Sequence, residues 1–305
     1  MDTIYIVGAG AIGKALAALL THHHRKVVLL RARAAQAVPY KETITLEVPE
    51  QLPIQATVTV SSLEQVASFE GIVVLTNKSF GNERIAGLLR GKTGHSPIVL
   101  LQNGLRVEEC FADPAFSEVY RCVLFVTSQF TADGYIRFRP VTTCPVGAVK
   151  GEGAQLESVV ERLHTPVFPF RAEPDLEPIV WKKAIANCVF NSICPLIEAD
   201  NGIFHRDQQV LSLATAVVAE CVGVARAKGI ALTEEEVLES VLLISQRSDG
   251  QLISTLQDIR QGRPTEIATL NAAIVGFAEE LGLGSQVSAT RLLGQLTQLK
   301  SDLGR

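Results

Sequence analysis

The chain has 305 residues, with 28 Lys and Arg against 32 Asp and Glu and a formal net charge of −4. That length suits two domains of ordinary size, and the acidic balance leaves no basic footprint for nucleic acid. Six cysteines without a Cys-x-x-Cys spacing read as reduced thiols of a cytoplasmic protein, and the absence of a cationic segment before the first strand argues against a secretory signal.

The first apolar run, residues 3–7, leads straight into Gly8, Ala9, Gly10, Ala11, Ile12 and Gly13 and then the helical pattern of 14–20. Strand, glycine turn and helix in that order form a dinucleotide fingerprint. Gly8 makes the tight turn, Gly10 lets a pyrophosphate approach the backbone, and Gly13 lets the helix pack on the strand. The phosphates then rest on the free amides of the helix N-terminus. An ordinary flexible turn is the plain alternative, and the flanking strand and helix favour the fingerprint. The His22, His23, His24 run reads as a solvated turn, because nothing nearby has metal-ligand spacing.

The second strand, 26–30, ends at Arg31, with Arg33 two residues on. An NAD site usually carries Asp or Glu there to bond the ribose 2′-hydroxyl. An arginine instead clamps a 2′-phosphate, so NADPH/NADP+ is the expected cofactor.

Further β-rich runs at 71–75, 97–101, 119–125, 136–138 and 167–170 predict a mostly parallel sheet with an antiparallel extension. Two loops, 76–79 and 102–104, follow strands at the carboxyl edge, where open α/β sheets bind ligands. They supply Lys78 and Asn103 as candidates for the nicotinamide end of the cofactor, although each is also readable as a turn residue. The polar, twice-proline segment 173–178 marks a domain junction. The expected fold class is therefore an α/β Rossmann-type dinucleotide-binding domain over 1–172 followed by an all-α domain over 173–305. Helical periodicity covers 179–194, 207–228, 233–246, 251–261, 264–281 and a last stretch near 286–301. The apolar run 210–225 carries Ser212, Thr215 and Glu220 and falls short of about 20 apolar residues, so it reads as a core helix and no membrane span is expected.

Within the helix at 181–191 every position from Ala184 to Phe190 is apolar except Asn187. At about 100° per residue, Lys183, Asn187 and Asn191 leave one face as a polar stripe. Buried polar groups need partners, so the stripe either satisfies itself in a core or lines a cleft. A lysine is almost never fully buried unless paired, which favours the cleft. Asp200-Asn201-Gly202 reads as a turn, and the 254–258 stretch with Thr265 and Glu266 as a helix, a turn and a helix start.

Taken together, the fingerprint with Arg31, Lys78, the 102–104 loop, the 181–191 helix, Asn201-Gly202, and Ser254 through Arg260 followed by Pro264-Thr265-Glu266 resemble the ketopantoate reductases, in order and spacing, over essentially the whole chain. The resemblance implies NADPH-dependent reduction of 2-dehydropantoate to (R)-pantoate, a step of pantothenate and coenzyme A synthesis. It also implies Lys183 as general acid, assisted by Glu266. Asn187, Asn191, Asn201 and Ser254 would bind the 2-keto acid, with Lys78 and Asn103 at the cofactor end. The segment 125–130 departs from the small, often histidine-containing stretch common there, which puts that wall of the pocket in question. Two other readings stay open. β-Hydroxyacid dehydrogenases also pair a glycine fingerprint with a helical Lys-x-x-x-Asn, but their glycine-rich segment before that helix is not seen here; a non-catalytic dinucleotide sensor is the other. Monomer and homodimer are both open.

Overall fold

The computed structural model describes residues 3–32 and 38–304, so Arg33 lies outside the described residues. The chain divides into two compact units, Met1–Gln102 with Val107–Leu176, and Asn103–Arg106 with Glu177–Arg305.

The first unit is built on β1 (Thr3–Val7), β2 (Val27–Arg31), β3 (Tyr40–Glu47), β4 (Ile54–Ser62), β5 (Gly71–Leu75), β6 (Ile98–Leu100), β7 (Val119–Cys122), β8 (Val126–Phe130), β9 (Ile136–Pro140), β10 (Cys144–Lys150) and β11 (Phe170–Ala172). They form one sheet in the order β11-β10-β7-β6-β5-β1-β2-β4-β3-β9-β8. The six strands from β7 to β4 run parallel, and Val7 stands opposite both Leu30 and Leu75. That register delivers Gly8, Arg31 and Thr76 to the same edge of the sheet. Helices α1 (Ala11–His22) and α3 (Leu156–Leu163) share a core with Ile4, Ile6 and Leu29. The opposite face packs Val7, Leu30, Val73 and Leu75 with Ile85, Ala86 and Leu89 of α2 (Asn82–Leu89). Alternate residues of one strand thus feed two cores.

The antiparallel extension is larger than the sequence reading anticipates. The β3–β4 pair is fully antiparallel from Tyr40↔Val60 to Leu46↔Ile54, and its period-2 signal was present in Ala56, Val58 and Val60, all buried. The run expected at 119–125 stops at Cys122, and 126–130 becomes the separate strand β8, antiparallel to β9 at the sheet edge. The strand expected at 167–170 begins only at Phe170. Before it, Thr165 and Phe168 close a turn, the Phe168 N–H donating to Thr165 Oγ1 at 2.9 Å and the Thr165 N–H to the Phe168 carbonyl at 3.1 Å.

The second unit is built from helices, with no strand among its described residues: α4 (Glu177–Ile197), α5 (Ile203–Arg206), α6 (Gln208–Ala227), α7 (Glu234–Arg247), α8 (Ser254–Arg260), α9 (Asn271–Glu280) and α10 (Ser288–Leu303). α4 is its axis and packs against α6, α7, α8 and α10. Caps set the boundaries. Asp207 accepts the N–H groups of Gln209 and Val210, and Thr233 with Glu236 forms a capping box. Glu220 of α6 caps α10 from a distance, accepting the N–H groups of Ala289 at 2.9 Å and Thr290 at 2.7 Å. α6 is long and apolar enough to cross a membrane, yet Ala214, Val217, Val218, Cys221 and Val222 form one fully buried stripe. The helix expected over 264–281 is divided. A 3₁₀ turn at Ile267–Thr269 precedes α9, and Leu270 between them leaves helical geometry at φ −111° and ψ −103°. α10 inverts the usual amphipathic pattern: it buries Thr290, Gly294, Thr297 and Ser301 and exposes Leu292, Leu296, Leu299 and Leu303.

Candidate active site

The glycine turn has the geometry a pyrophosphate requires. Gly8 has φ +120°, where a side chain is strained, and a Cβ on it would fall 2.6 Å from the Asn77 nitrogen. A Cβ on Gly13 would fall 1.9 Å from the Gly8 carbonyl oxygen, so the α1 backbone lies directly on the turn. Gly10 is different: nothing stands within 4 Å of its would-be Cβ. It is also the α1 N-cap, without a side-chain cap and without an acidic residue in the first turn. Amides at the start of a helix have no partner within it, so the N–H groups following Gly10, beside Ala9, Ala11 and Ile12, are suited to phosphate oxygens. The residues present therefore fit a dinucleotide. Arg31 closes β2, half-buried, in register with Ser62.

Four polar residues hold this cradle: Thr76 and Gln102 from the two loops singled out in the sequence, and Asn82 and Arg84, which no motif marks. Thr76 Oγ1 lies 3.0 Å from the Gly8 carbonyl and 3.2 Å from that of Val7, tying β5 to the glycine turn. Asn82 and Gln102 exchange amide hydrogen bonds of 2.8 and 2.7 Å, and Gln102 also donates to the Asn77 carbonyl at 2.8 Å. The loop bearing Lys78 is thereby fixed from the end of β6. Arg84 donates to the Ala32 carbonyl at 2.8 Å and pairs with Glu64, bringing a second cation to the tip of β2. None of these has a spacing signal, because each contact joins segments 20 to 70 residues apart.

In the second unit, Lys183, Asn187 and Asn191 do lie along one helix, α4, whose other residues from Ala184 to Phe190 are buried. Lys183 and Asn187 are half-buried. Asn191 is only 4 % exposed; it donates to the Asn187 carbonyl at 3.0 Å and accepts the hydroxyl of Thr255 at 2.7 Å and that of Ser254 at 3.4 Å. Ser254 is exposed at the start of α8, so Asn191 joins it to the Asn187 turn of α4.

Asn201 is 7 % exposed. Its N–H donates to the Gln251 carbonyl at 2.9 Å, three residues before Ser254, and its carbonyl accepts Ser245 Oγ at 2.7 Å. Its Oδ1 is buried with no protein donor. Glu266, half-buried, heads the 3₁₀ turn at Ile267–Thr269 that packs on α4. Gly104 meets the same turn: a Cβ on it would lie 2.4 Å from Thr269 Oγ1, and the Leu105 N–H donates to the Thr269 carbonyl at 2.7 Å. Exposed Asn103 is thus held beside the Glu266 turn. Arg260 is exposed and Asp258 is buried against Arg263 at 3.0 Å, which makes that pair a brace of the α8 end.

Burial pushes the thiol of Cys194 up to about 12, with Asp200 adding to it, and burial likewise raises Cys188 well above the ordinary thiol range. These cysteines of α4 pack as apolar groups.

Over residues 4–151 the chain matches the family described as Ketopantoate reductase PanE/ApbA, and over residues 175–300 the same family's C-terminal part. It is 26% identical over 306 residues to the 2-dehydropantoate 2-reductase of Pyrococcus horikoshii, covering 99% of this chain and 98% of that one. Among solved structures, the PanE/ApbA family ketopantoate reductase from Ralstonia eutropha JMP134 has a TM-score of 0.83 at 24% identity, covering 99% of each chain. The ternary structure of D-mandelate dehydrogenase with NADH and anilino(oxo)acetate has a TM-score of 0.85 at 19% identity, also over 99% of each. Those two likenesses speak to the fold. With both halves matched in order, this oxidoreductase belongs to the ketopantoate reductase family.

Proposed function

We propose that the protein reduces 2-dehydropantoate to (R)-pantoate with NADPH, in the cytoplasm, on the route to pantothenate and coenzyme A. The observation that carries the substrate reading is the orphaned Oδ1 of Asn201. A buried acceptor without a donor costs about 1–3 kcal/mol, and a substrate hydroxyl supplies one. 2-Dehydropantoate carries such a hydroxyl and 2-ketoisovalerate does not. The dinucleotide, when bound, supplies the hydride. The Lys183 ammonium stabilises negative charge growing on the keto oxygen and then donates its proton there. Glu266 keeps that ammonium charged and oriented, and Asn187 and Ser254 hold the substrate polar groups. Asn191, with its carboxamide engaged inside the unit, enters through Asn187 and Ser254. Gly8, Gly10 and Gly13 shape the phosphate cradle, Arg31 reads the 2′-phosphate, and Lys78 and Asn103 serve the nicotinamide end.

The test is NADPH oxidation across 2-dehydropantoate, 2-ketoisovalerate and related acids. A kcat/KM for 2-dehydropantoate at least tenfold above that for 2-ketoisovalerate is expected, the equivalent of about 1.4 kcal/mol. Equal values would refute the hydroxyl reading and favour a reductase of another 2-keto acid, the second reading. No turnover of any acid would favour a dinucleotide sensor.

For assembly, the exposed leucines of α10 support a homodimer. Leu292, Leu296, Leu299 and Leu303 follow the 4-3-4 spacing of a coiled-coil seam, and a two-fold axis presents each seam to its copy. Leu296→Glu with Leu299→Glu should yield a monomer by light scattering; a wild-type protein already monomeric would refute the reading.

A further inference from the structure

We propose that Arg206, Asp200, Asp249 and Ser245 form a lock that sets the orientation of Asn201, making Arg206 and Ser245 positioning residues for the substrate; this rests on the reading of Asn201 as a substrate contact.

The turn 200–202 has little regular structure to hold it, lying between the end of α4 and the four-residue α5. Its order comes from one guanidinium. Arg206 Nη2 lies 2.9 and 2.8 Å from the two carboxylate oxygens of Asp200, while its Nη1 pairs with Asp249. Asp200 Oδ1 in turn accepts the N–H of Gly202 at 2.7 Å and that of Gly250 at 3.3 Å. Arg206 thus staples the 200–202 turn to the 249–251 loop, whose Gln251 carbonyl receives the Asn201 N–H. The guanidinium holds the Asp200 carboxyl below the usual carboxylate range, with the Gly202 and Gly250 N–H groups adding to the effect. A Cβ on Gly202 would lie 1.7 Å from Asp249 Oδ1 and 2.7 Å from Arg206 Nη1, so a side chain there would have to push that ion pair aside.

The other side is closed by Ser245, which is fully buried on α7. A hydroxyl has one proton and two lone pairs. The proton goes to the Asn201 carbonyl at 2.7 Å, so the oxygen accepts from the His205 N–H at 3.2 Å and from His205 Nδ1 at 3.0 Å. That assignment requires the Nδ1–H form of His205. Both backbone polar groups of Asn201 are therefore committed, and only its side chain remains to meet a ligand. An exposed ion pair by itself contributes little; the consequence of this one is geometric.

Arg206→Ala is expected to raise KM for 2-dehydropantoate about tenfold with kcat within about twofold and the NADPH KM unchanged, which corresponds to about 1.4 kcal/mol. Arg206→Lys keeps the charge but cannot span both carboxylates, so it should fall between. Asn201→Ala should raise KM by at least as much, and adding Arg206→Ala to it should raise KM no further, because the arginine acts through Asn201. Asp249→Asn provides a milder variant if Arg206→Ala does not fold. A raised KM in Asn201→Ala with an unchanged KM in Arg206→Ala, or with only a lowered melting temperature there, overturns the lock alone. Multiplying KM effects in the double variant do the same. An unchanged KM in Asn201→Ala overturns both the lock and the substrate reading.

Discussion

Thr255 donates its hydroxyl to the carboxamide oxygen of Asn191 across 2.7 Å, tying α8 to α4 one residue from Ser254. Both residues are buried, so removing Asn191 deprives the Thr255 hydroxyl of this acceptor. Asn191→Ala should therefore lower stability by about 1–3 kcal/mol. For Asn187→Ala, half-exposed on the same stripe, the expected outcome is a raised KM for the keto acid with little change in melting temperature. Thermal unfolding and steady-state kinetics on the two variants separate the roles; a thermally neutral Asn191→Ala would contradict the assignment.

The glycines of the fingerprint should divide in the same way. Gly13→Ala places a methyl 1.9 Å from the Gly8 carbonyl oxygen, a clash with backbone that has no flexible end to yield, and should give destabilised or insoluble protein. Gly10→Ala meets open space and should fold with a near-normal melting temperature, while its methyl obstructs the phosphates and raises the NADPH KM. Dye-based cofactor binding beside a melting curve checks the pair. Normal cofactor affinity in Gly10→Ala would remove Gly10 from the phosphate site.

Cofactor choice rests on Arg31. Arg31→Asp exchanges a charge-assisted partner of the 2′-phosphate for a repulsive one and should shift the NADPH/NADH ratio of kcat/KM toward NADH by about tenfold or more, on the order of 1.5–3 kcal/mol. An unchanged ratio would transfer the role to another cation, with Arg84 at the tip of β2 the next to test.

Lys183→Ala should lower kcat by about 10²–10⁴ with the NADPH KM barely altered, the signature of a lost proton donor. Glu266→Gln should give a smaller loss. If Lys183→Ala keeps most of its kcat, another acid donates the proton, and Lys78 is then the residue to replace.

Elements with a short-range signature were legible in the chain itself. The first strand, the glycine turn and α1 were readable because three glycines at fixed spacing sit between a short continuous apolar run and a period-3.6 segment. The α4 stripe was readable because a helix repeats its face every three to four residues. The longer helices of the second unit were likewise visible from periodicity, though the four-residue α5 was not and 264–281 read as one helix where Leu270 breaks it. Tertiary structure alone decided the rest. Nothing local in the sequence separates Asn191, engaged by Thr255, from Asn187, four residues earlier on the same face. Only folding brings Gly104 against Thr269 beside Glu266, or sets Arg206 between Asp200 and Asp249. Period and spacing are properties of a single segment, whereas the state of a polar group depends on which distant segment supplies its partner, and that is settled when the segments pack.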